Sequence, residues 1–278
     1  MRSQTRTWCA TFAAVLLLSA GTAWAQKPAP AAKPAPAAAA TPSQVQANEI
    51  LMRMAEFLKN AQRFSVNVSG NYDAVQSSGQ KIEFGESRKL TLSRPDRLRV
   101  EGERSDGAKM LTVFTGKEIV LIDTASNVYA TETQTAGLDE TIVHFVRDLG
   151  MKLPLAMMLV SQLPTELQNR VRSIDYVEKT KINDAASHHL AARGDTVDFQ
   201  IWVAEGDKPL PQRVVITYKT VKGEPQFRAD LTDWNLAPAI TDATFAAKPP
   251  DGAQKVAFAA QLPRVAAGRK AAAGKGDK

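Results

Sequence analysis

Apolar positions recur at helical spacing at the start of the folded region. Ala47, Ile50, Leu51, Met54, Phe57, Leu58 and Ala61 fall on one stripe, while Glu49, Arg53, Glu56 and Lys59 face away. This predicts an amphipathic helix. Thr41-Pro42-Ser43-Gln44 ahead of it reads as a capping box with proline at the first helical position. The period then changes to two. Phe64, Val66, Val68 and Tyr72 alternate with Ser65, Asn67, Ser69 and Asn71. Runs around Leu90–Leu92, Leu98–Val100, Met110–Phe114, Ile119–Ile122 and Val128–Thr133 follow, separated by turn signals such as Ser77-Ser78-Gly79, Asp106-Gly107 and Thr115-Gly116-Lys117. This is the pattern of a meander of hairpins and an antiparallel sheet.

The helical period returns once, at Leu138, Ile142, Phe145, Val146 and Leu149, with Gly150 as a stop. The next stretch, Met151-Lys152-Leu153-Pro154-Leu155-Ala156-Met157-Met158-Leu159-Val160, predicts a helix that is apolar on every side. Such a helix is buried all round or faces an apolar cavity. A further helical turn is expected at Leu163-Pro164-Thr165-Glu166. Five more strands are expected at Ile174–Lys181, Ser187–Ala192, Val197–Ala204, Gln212–Tyr218 and Gln226–Trp234, giving about eleven in all.

A single sheet of that width must curl, split or close, and only two or three helices are available to cover it. The expected fold is therefore mainly β (α+β). A strongly curved antiparallel sheet has the N-terminal and mid-chain helices over its concave side, with an apolar groove between. The residues expected to line the groove are Phe64, Val66, Leu111 and Phe114 from the sheet, Leu155, Met157 and Met158 from the mid-chain helix, and Trp202. Met151 and Trp234 belong with them. The methionines suit varied apolar ligands. Plain core packing is an equal reading of the same helix, and of both tryptophans.

The N-terminus changes the picture of where the domain works. Arg2 and Arg6, an apolar run centred on Val15-Leu16-Leu17-Leu18, and Ala23-Trp24-Ala25 predict a signal peptide over 1–25, cut after Ala25. A membrane anchor is the alternative, but the apolar run falls short of the about 20 residues a span needs. The single cysteine, Cys9, lies inside this segment, so the cleaved chain has no thiol for a disulfide, a lipid anchor or metal ligation. Residues 26–42 form an Ala/Pro-rich linker and 261–278 a basic tail, both expected to be disordered. The formal charge of +6 resides in these ends. The signal peptide and linker carry +2 each and the stretch from Arg264 onward +4, leaving −2 for residues 41–263. Nucleic acid is not an expected partner of such a domain; the tail is expected to be a solvated, solubilising end, with transient contact with anionic lipid or cell-wall polymer as the alternative.

No catalytic signature is present: there is no Gly-x-Ser-x-Gly, His-Glu-x-x-His, phosphate loop or Gly-x-Gly-x-x-Gly. His188 and His189 are adjacent on a strand and point to opposite faces, which disfavours a shared metal; surface polar residues are the simpler reading. The basic run Arg88, Lys89, Arg94, Arg97, Arg99 and Arg104, interleaved with Glu86, Asp96, Glu101 and Glu103, reads as a charge-paired outer face or as a rim meeting head groups or carboxylates. The protein is expected to be a non-enzymatic monomer without cofactor or metal.

The layout resembles a known family. The helix ending near Phe64, Leu153-Pro154-Leu155-Ala156, and the close Ala237-Pro238-Ala239-Ile240, Phe245 and Pro249-Pro250-Asp251-Gly252-Ala253 carry the likeness. Over residues 43–260 the chain is similar to an uncharacterised family of predicted periplasmic proteins. That family is related to the LolA/LolB-type lipoprotein carriers and to the lipoprotein-like half of the sigma-factor regulator RseB. The resemblance implies an unclosed half-barrel with a helical lid. It implies a periplasmic protein that binds a lipid or lipoprotein acyl chain as carrier or chaperone, or one that binds an envelope partner protein as a sensor.

Overall fold

The computed structural model describes residues 39–258, Lys152 excepted. The expected signal peptide (1–25), most of the linker (26–42) and the basic tail (261–278) lie outside the described residues. Helix α1 spans Pro42–Asn60, with Thr41 as its N-cap. The Thr41 hydroxyl accepts from the Gln44 N–H while the Gln44 side chain accepts from the Thr41 N–H, which satisfies two backbone donors that the helix cannot pair itself. Ala47, Ile50, Leu51, Met54, Ala55 and Leu58 form its buried stripe.

All eleven expected strands form. They are β1 (Arg63–Val75), β2 (Lys81–Ser93), β3 (Arg97–Arg104), β4 (Lys109–Phe114), β5 (Glu118–Asp123), β6 (Val128–Thr133), β7 (Val171–Ile182), β8 (Ala185–Gly194), β9 (Val197–Ala204), β10 (Pro211–Tyr218) and β11 (Gln226–Asn235). A two-residue β12, Gln254–Lys255, adds a twelfth. They make one sheet in the order β12-β6-β5-β4-β3-β2-β1-β11-β10-β9-β8-β7, antiparallel except for the β12–β6 pair. The outermost strands, β12 and β7, do not pair with each other, so the sheet stays open. Its two halves meet along one seam, β1 against β11.

A single core cluster includes Ile119 and Ala130 near one edge, Ile174 on β7 at the other, and the buried stripe of α1. The sheet therefore wraps around its helices as an unclosed half-barrel. Strand alternation assigns the faces. Phe64, Leu92, Leu98 and Phe114 lie in register across β1 to β4 on the inner face, as do Leu190, Ile201 and Val214 across β8 to β10. Expected turns carry positive φ; at Gly116 (φ 82°) a Cβ would sit 2.5 Å from an Asp96 carboxylate oxygen, so a side chain there is strained and would push Asp96 aside.

The outer face has two features of its own. After β11 the chain reaches a short 3-10 turn, Asp242–Phe245, packed against β3. The Arg99 guanidinium donates to the Thr244 and Ala246 carbonyls. Phe245 is buried there, as are Val113, Val120 and Ile122 on the outer side of β4 and β5. The strap ends by adding β12 to the β6 edge. On the other half, Glu178, His189, Trp202, Arg213 and Asp230 stand in cross-strand register from β7 to β11. His189 stacks on Trp202 (centroids 4.0 Å apart, 9° between planes), the Arg213 guanidinium lies 5.7 Å from the Trp202 ring, and Arg213 donates to Asp230.

The mid-chain segment departs from expectation. Helix α2 covers only Leu138–Val143 and continues as a π-turn, His144–Asp148, stopped at Gly150 (φ 66°). The expected all-round apolar helix is a single 3-10 turn, Ala156–Leu159. Proline disfavours helical conformation in the residue before it, and Leu155 after it takes a left-handed conformation, φ 65°. Helix α3, Leu163–Arg170, follows with proline in its first turn.

Candidate functional site

An apolar recess lies between the inner face of β1, β2, β3 and β11 and the segment Leu153–Leu159 above it. Phe64, Val66 and Val68 of β1, Leu90 of β2 and Val100 of β3 supply part of the floor. Phe227, Leu231 and Trp234 of β11 complete the apolar wall. The roof is Leu153, Pro154, Leu155, Met158 and Leu159. Among the described residues that line it, Arg88 is the one that carries a charge. The room left for water-sized molecules is only ≈ 30 Å³, enough for about two waters. The hollow expected between sheet and helices is thus filled by the roof's own side chains.

Local backbone geometry aims two of these groups. Alternation from Leu231 would place Trp234 outside, but the β1–β11 register shifts between Ser65 and Asn67, and Asp233 takes φ 53°. This bulge turns Trp234 inward, where its ring meets Phe64 at 5.4 Å and its indole N–H donates to the Pro211 carbonyl. Gly70 does the second job: a Cβ there would sit 3.2 Å from the Phe227 ring, so the ring lies down on bare backbone.

The roof is clamped at one end. Arg94, in the β2–β3 turn, donates to the carbonyls of Ala61 and Leu159 and lies 3.6 Å from Asp139 of α2. Asp139 in turn accepts from the Ser161 backbone N–H and hydroxyl. Burial pushes the Arg94 pKa down and the Asp139 charge pushes it back up. In the sequence, Arg94 belongs to a run of charged residues expected at the surface. The run is indeed charge-paired, as Arg88–Glu86, Arg99–Glu101 and Arg104–Asp106 show, but it does not share one face. Strand alternation puts Arg88 and Arg104 inside and Arg97 and Arg99 outside, and Arg94 joins the roof.

Of the residues named from sequence, Phe64, Val66, Leu155 and Met158 come together at the recess. Phe114 packs in the same core but does not line the recess, and Met157 is exposed. Leu111 and Trp202 stand on the outer face, because their strand neighbours Thr112, Ile201 and Val203 take the inner positions. Met151 packs against the core cluster beside the roof.

His188 and His189 point to opposite faces. On the inner one, His188 accepts or shares a hydrogen bond with the Tyr176 hydroxyl (3.2 Å) and lies 3.8 Å from Glu205, beside an open cleft of ≈ 650 Å³ along the polar flank of α1. Burial pushes the His188 pKa below the usual histidine range, against the pull of Glu205. The folded protein therefore holds this ring neutral where the unfolded chain, with a pKa of about 6.5, takes up a proton. Stability is fully present above that value and declines as pH falls through it. Between pH 7.5 and 5.5, the urea midpoint of the wild type should drop further than that of His188→Gln; parallel declines would show that His188 contributes nothing to the pH dependence.

A family model described as "Predicted periplasmic protein (DUF2092)" matches residues 47–259. No curated protein matches the chain. Among solved structures, an uncharacterized conserved protein from Thermus thermophilus is similar at 15% identity and TM-score 0.45, over 76% of this chain and 99% of that one. The Mycobacterium tuberculosis lipoprotein LppX is similar at 10% identity and TM-score 0.45, over 72% and 100%. The Pseudomonas aeruginosa MucA/MucB complex contains a chain similar at 16% identity and TM-score 0.38, over 73% of this chain; the match spans about three-fifths (61%) of that one.

Proposed function

We propose that this chain, which belongs to the DUF2092 family of predicted periplasmic proteins, is a non-enzymatic carrier or chaperone that takes an acyl chain into the recess once the roof has lifted. The signal peptide is removed after Ala25 and the domain works in the periplasm. One observation carries the reading: thirteen of the fourteen described residues lining the recess are apolar, and five of them belong to a roof that is not a regular helix. In this state the protein plugs its own site. Leu155 and Met158 sit where a ligand's methylenes would sit, and each methylene buried in their place contributes about 0.8 kcal/mol.

The roof is suited to displacement. Leu155 holds a left-handed conformation that costs a non-glycine residue on the order of 1 kcal/mol. Gly150 provides a second irregular joint.

Leu155→Gly tests the reading. Glycine accepts the backbone conformation and removes one plug side chain, so affinity for an apolar fluorescent probe should rise several-fold. Unchanged affinity would show that the probe does not enter under the roof. Native mass spectrometry of protein taken from the periplasm should also find acyl lipid bound and a mass beginning at Gln26. Lipid-free protein holding a stoichiometric protein partner would favour a sensor instead.

A further inference from the structure

We infer that the ligand is an anionic amphiphile whose head is held by Arg88 while its tail lies under the roof; this rests on the carrier reading above. Among the described residues, Arg88 is the only charged one lining an otherwise apolar recess, and its side chain is 19% exposed. Its partner Glu86, at 2.9 Å, is 12% exposed. A pair so placed gives little stability over an apolar pair of the same volume, because desolvation cancels much of the attraction. Packing alone therefore does not account for it.

The surroundings leave the guanidinium open to a ligand. Across the β2–β3 pair Arg88 faces Gly102, and across the β1–β2 pair Glu86 faces Gly70. Neither glycine carries a side chain to cover the charges on that side, while Val68 and Arg104 stand across from Arg88 and Glu86 on the other. The Arg88 stem runs beside Gly102, where a Cβ would lie 3.9 Å from its Cγ. Among the described residues the fork makes one hydrogen bond, from Nη2 to Glu86, out of the five N–H donors it carries. The position along the groove also fits a head group. On the roof side of Arg88 the inner face continues into the covered recess through Leu90 and Val100. On the other side it runs out to Phe84 and Met110, each 41% exposed. Arg88 stands at the border between roofed and open surface, where an amphiphile changes from tail to head. Carboxylate and phosphate heads share the chemistry the fork reads, two oxygens at bidentate spacing.

The experiment uses the full chain after signal removal, with Trp202→Phe so that fluorescence reports on Trp234 in the recess. Dodecanoate, dodecyl phosphate and dodecanol are titrated separately. At least one of the two anions should bind roughly tenfold or more tightly than the alcohol, as a charge-assisted hydrogen bond warrants. The paired variant Arg88→Gln/Glu86→Gln leaves no lone charge to upset folding; it should lose that preference and keep its affinity for dodecanol. Equal binding of anions and alcohol by the parent protein, or equal weakening of all three in the variant, would overturn the head-group assignment while leaving the recess reading intact. Failure of all three to bind the parent would overturn both.

Discussion

Phe64→Ala is expected to lower the stability of the folded domain by about 3–5 kcal/mol, read as a shift of the urea or thermal midpoint. The side chain is wholly inaccessible to solvent and packs on Trp234 from its place on β1. Its removal costs the transfer free energy of the ring together with the cavity left behind. The site has little freedom to collapse. Leu92 and Leu98, in register with it across β2 and β3, are nearly as buried, and the roof above is already close-packed. Tryptophan emission should shift to the red in the same variant, since Trp234 loses its ring neighbour. A cost under about 1 kcal/mol would mean that the inner face is loosely packed, and that the recess is not filled in the way described.

Arg94→Ala is the second large effect, at roughly 3 kcal/mol. The change deletes two hydrogen bonds to backbone carbonyls, Ala61 at the end of α1 and Leu159 in the roof, and leaves Asp139 without its ion pair. Removing one partner of a buried pair costs more than the pair itself contributes, because the other charge remains desolvated. Arg94→Lys should recover only part of the loss, since an ammonium cannot reproduce the planar fork that reaches both carbonyls. Hydrogen exchange separates this clamp from general destabilisation. Amides of 153–161 should exchange faster in Arg94→Ala while those of β8 and β9 change less. Uniform acceleration would show that Arg94 holds no particular segment.

The sheet was legible from sequence because its signals are local. Polar and apolar residues alternate along β1, and glycine or asparagine marks the turns. The capping box at Thr41 was readable for the same reason. The width of the sheet against the number of helices was enough to predict an open, curved form. The parts that were not legible depend on register or on distant partners. Leu111 and Trp202 are apolar residues in strands, and only cross-strand register shows that they face outward. Trp234 turns inward because one bulge inverts the alternation. The roof read as a helix because its composition is helical, but Pro154 and the left-handed Leu155 break it into a single turn. Arg88 and Arg94 were inseparable from their surface neighbours in a charge run. Position in the strand puts one under the roof, and the turn after that strand puts the other at its clamp. The outer strap left only the signal of Phe245 and the prolines that follow it, without indicating which surface they cover.

The seam between the two halves of the sheet bears on when the molecule can take shape. β1, near the beginning of the domain, finds its second neighbour only in β11, some hundred and fifty residues later, and the β6 edge waits for β12 at Gln254–Lys255. Pairings between such distant segments form late and slowly. A chain emerging from the ribosome has no partner for that side of β1 until β11 has been made. During that interval the local hairpins of the first half can pair, but the seam that joins them to the second half stays open.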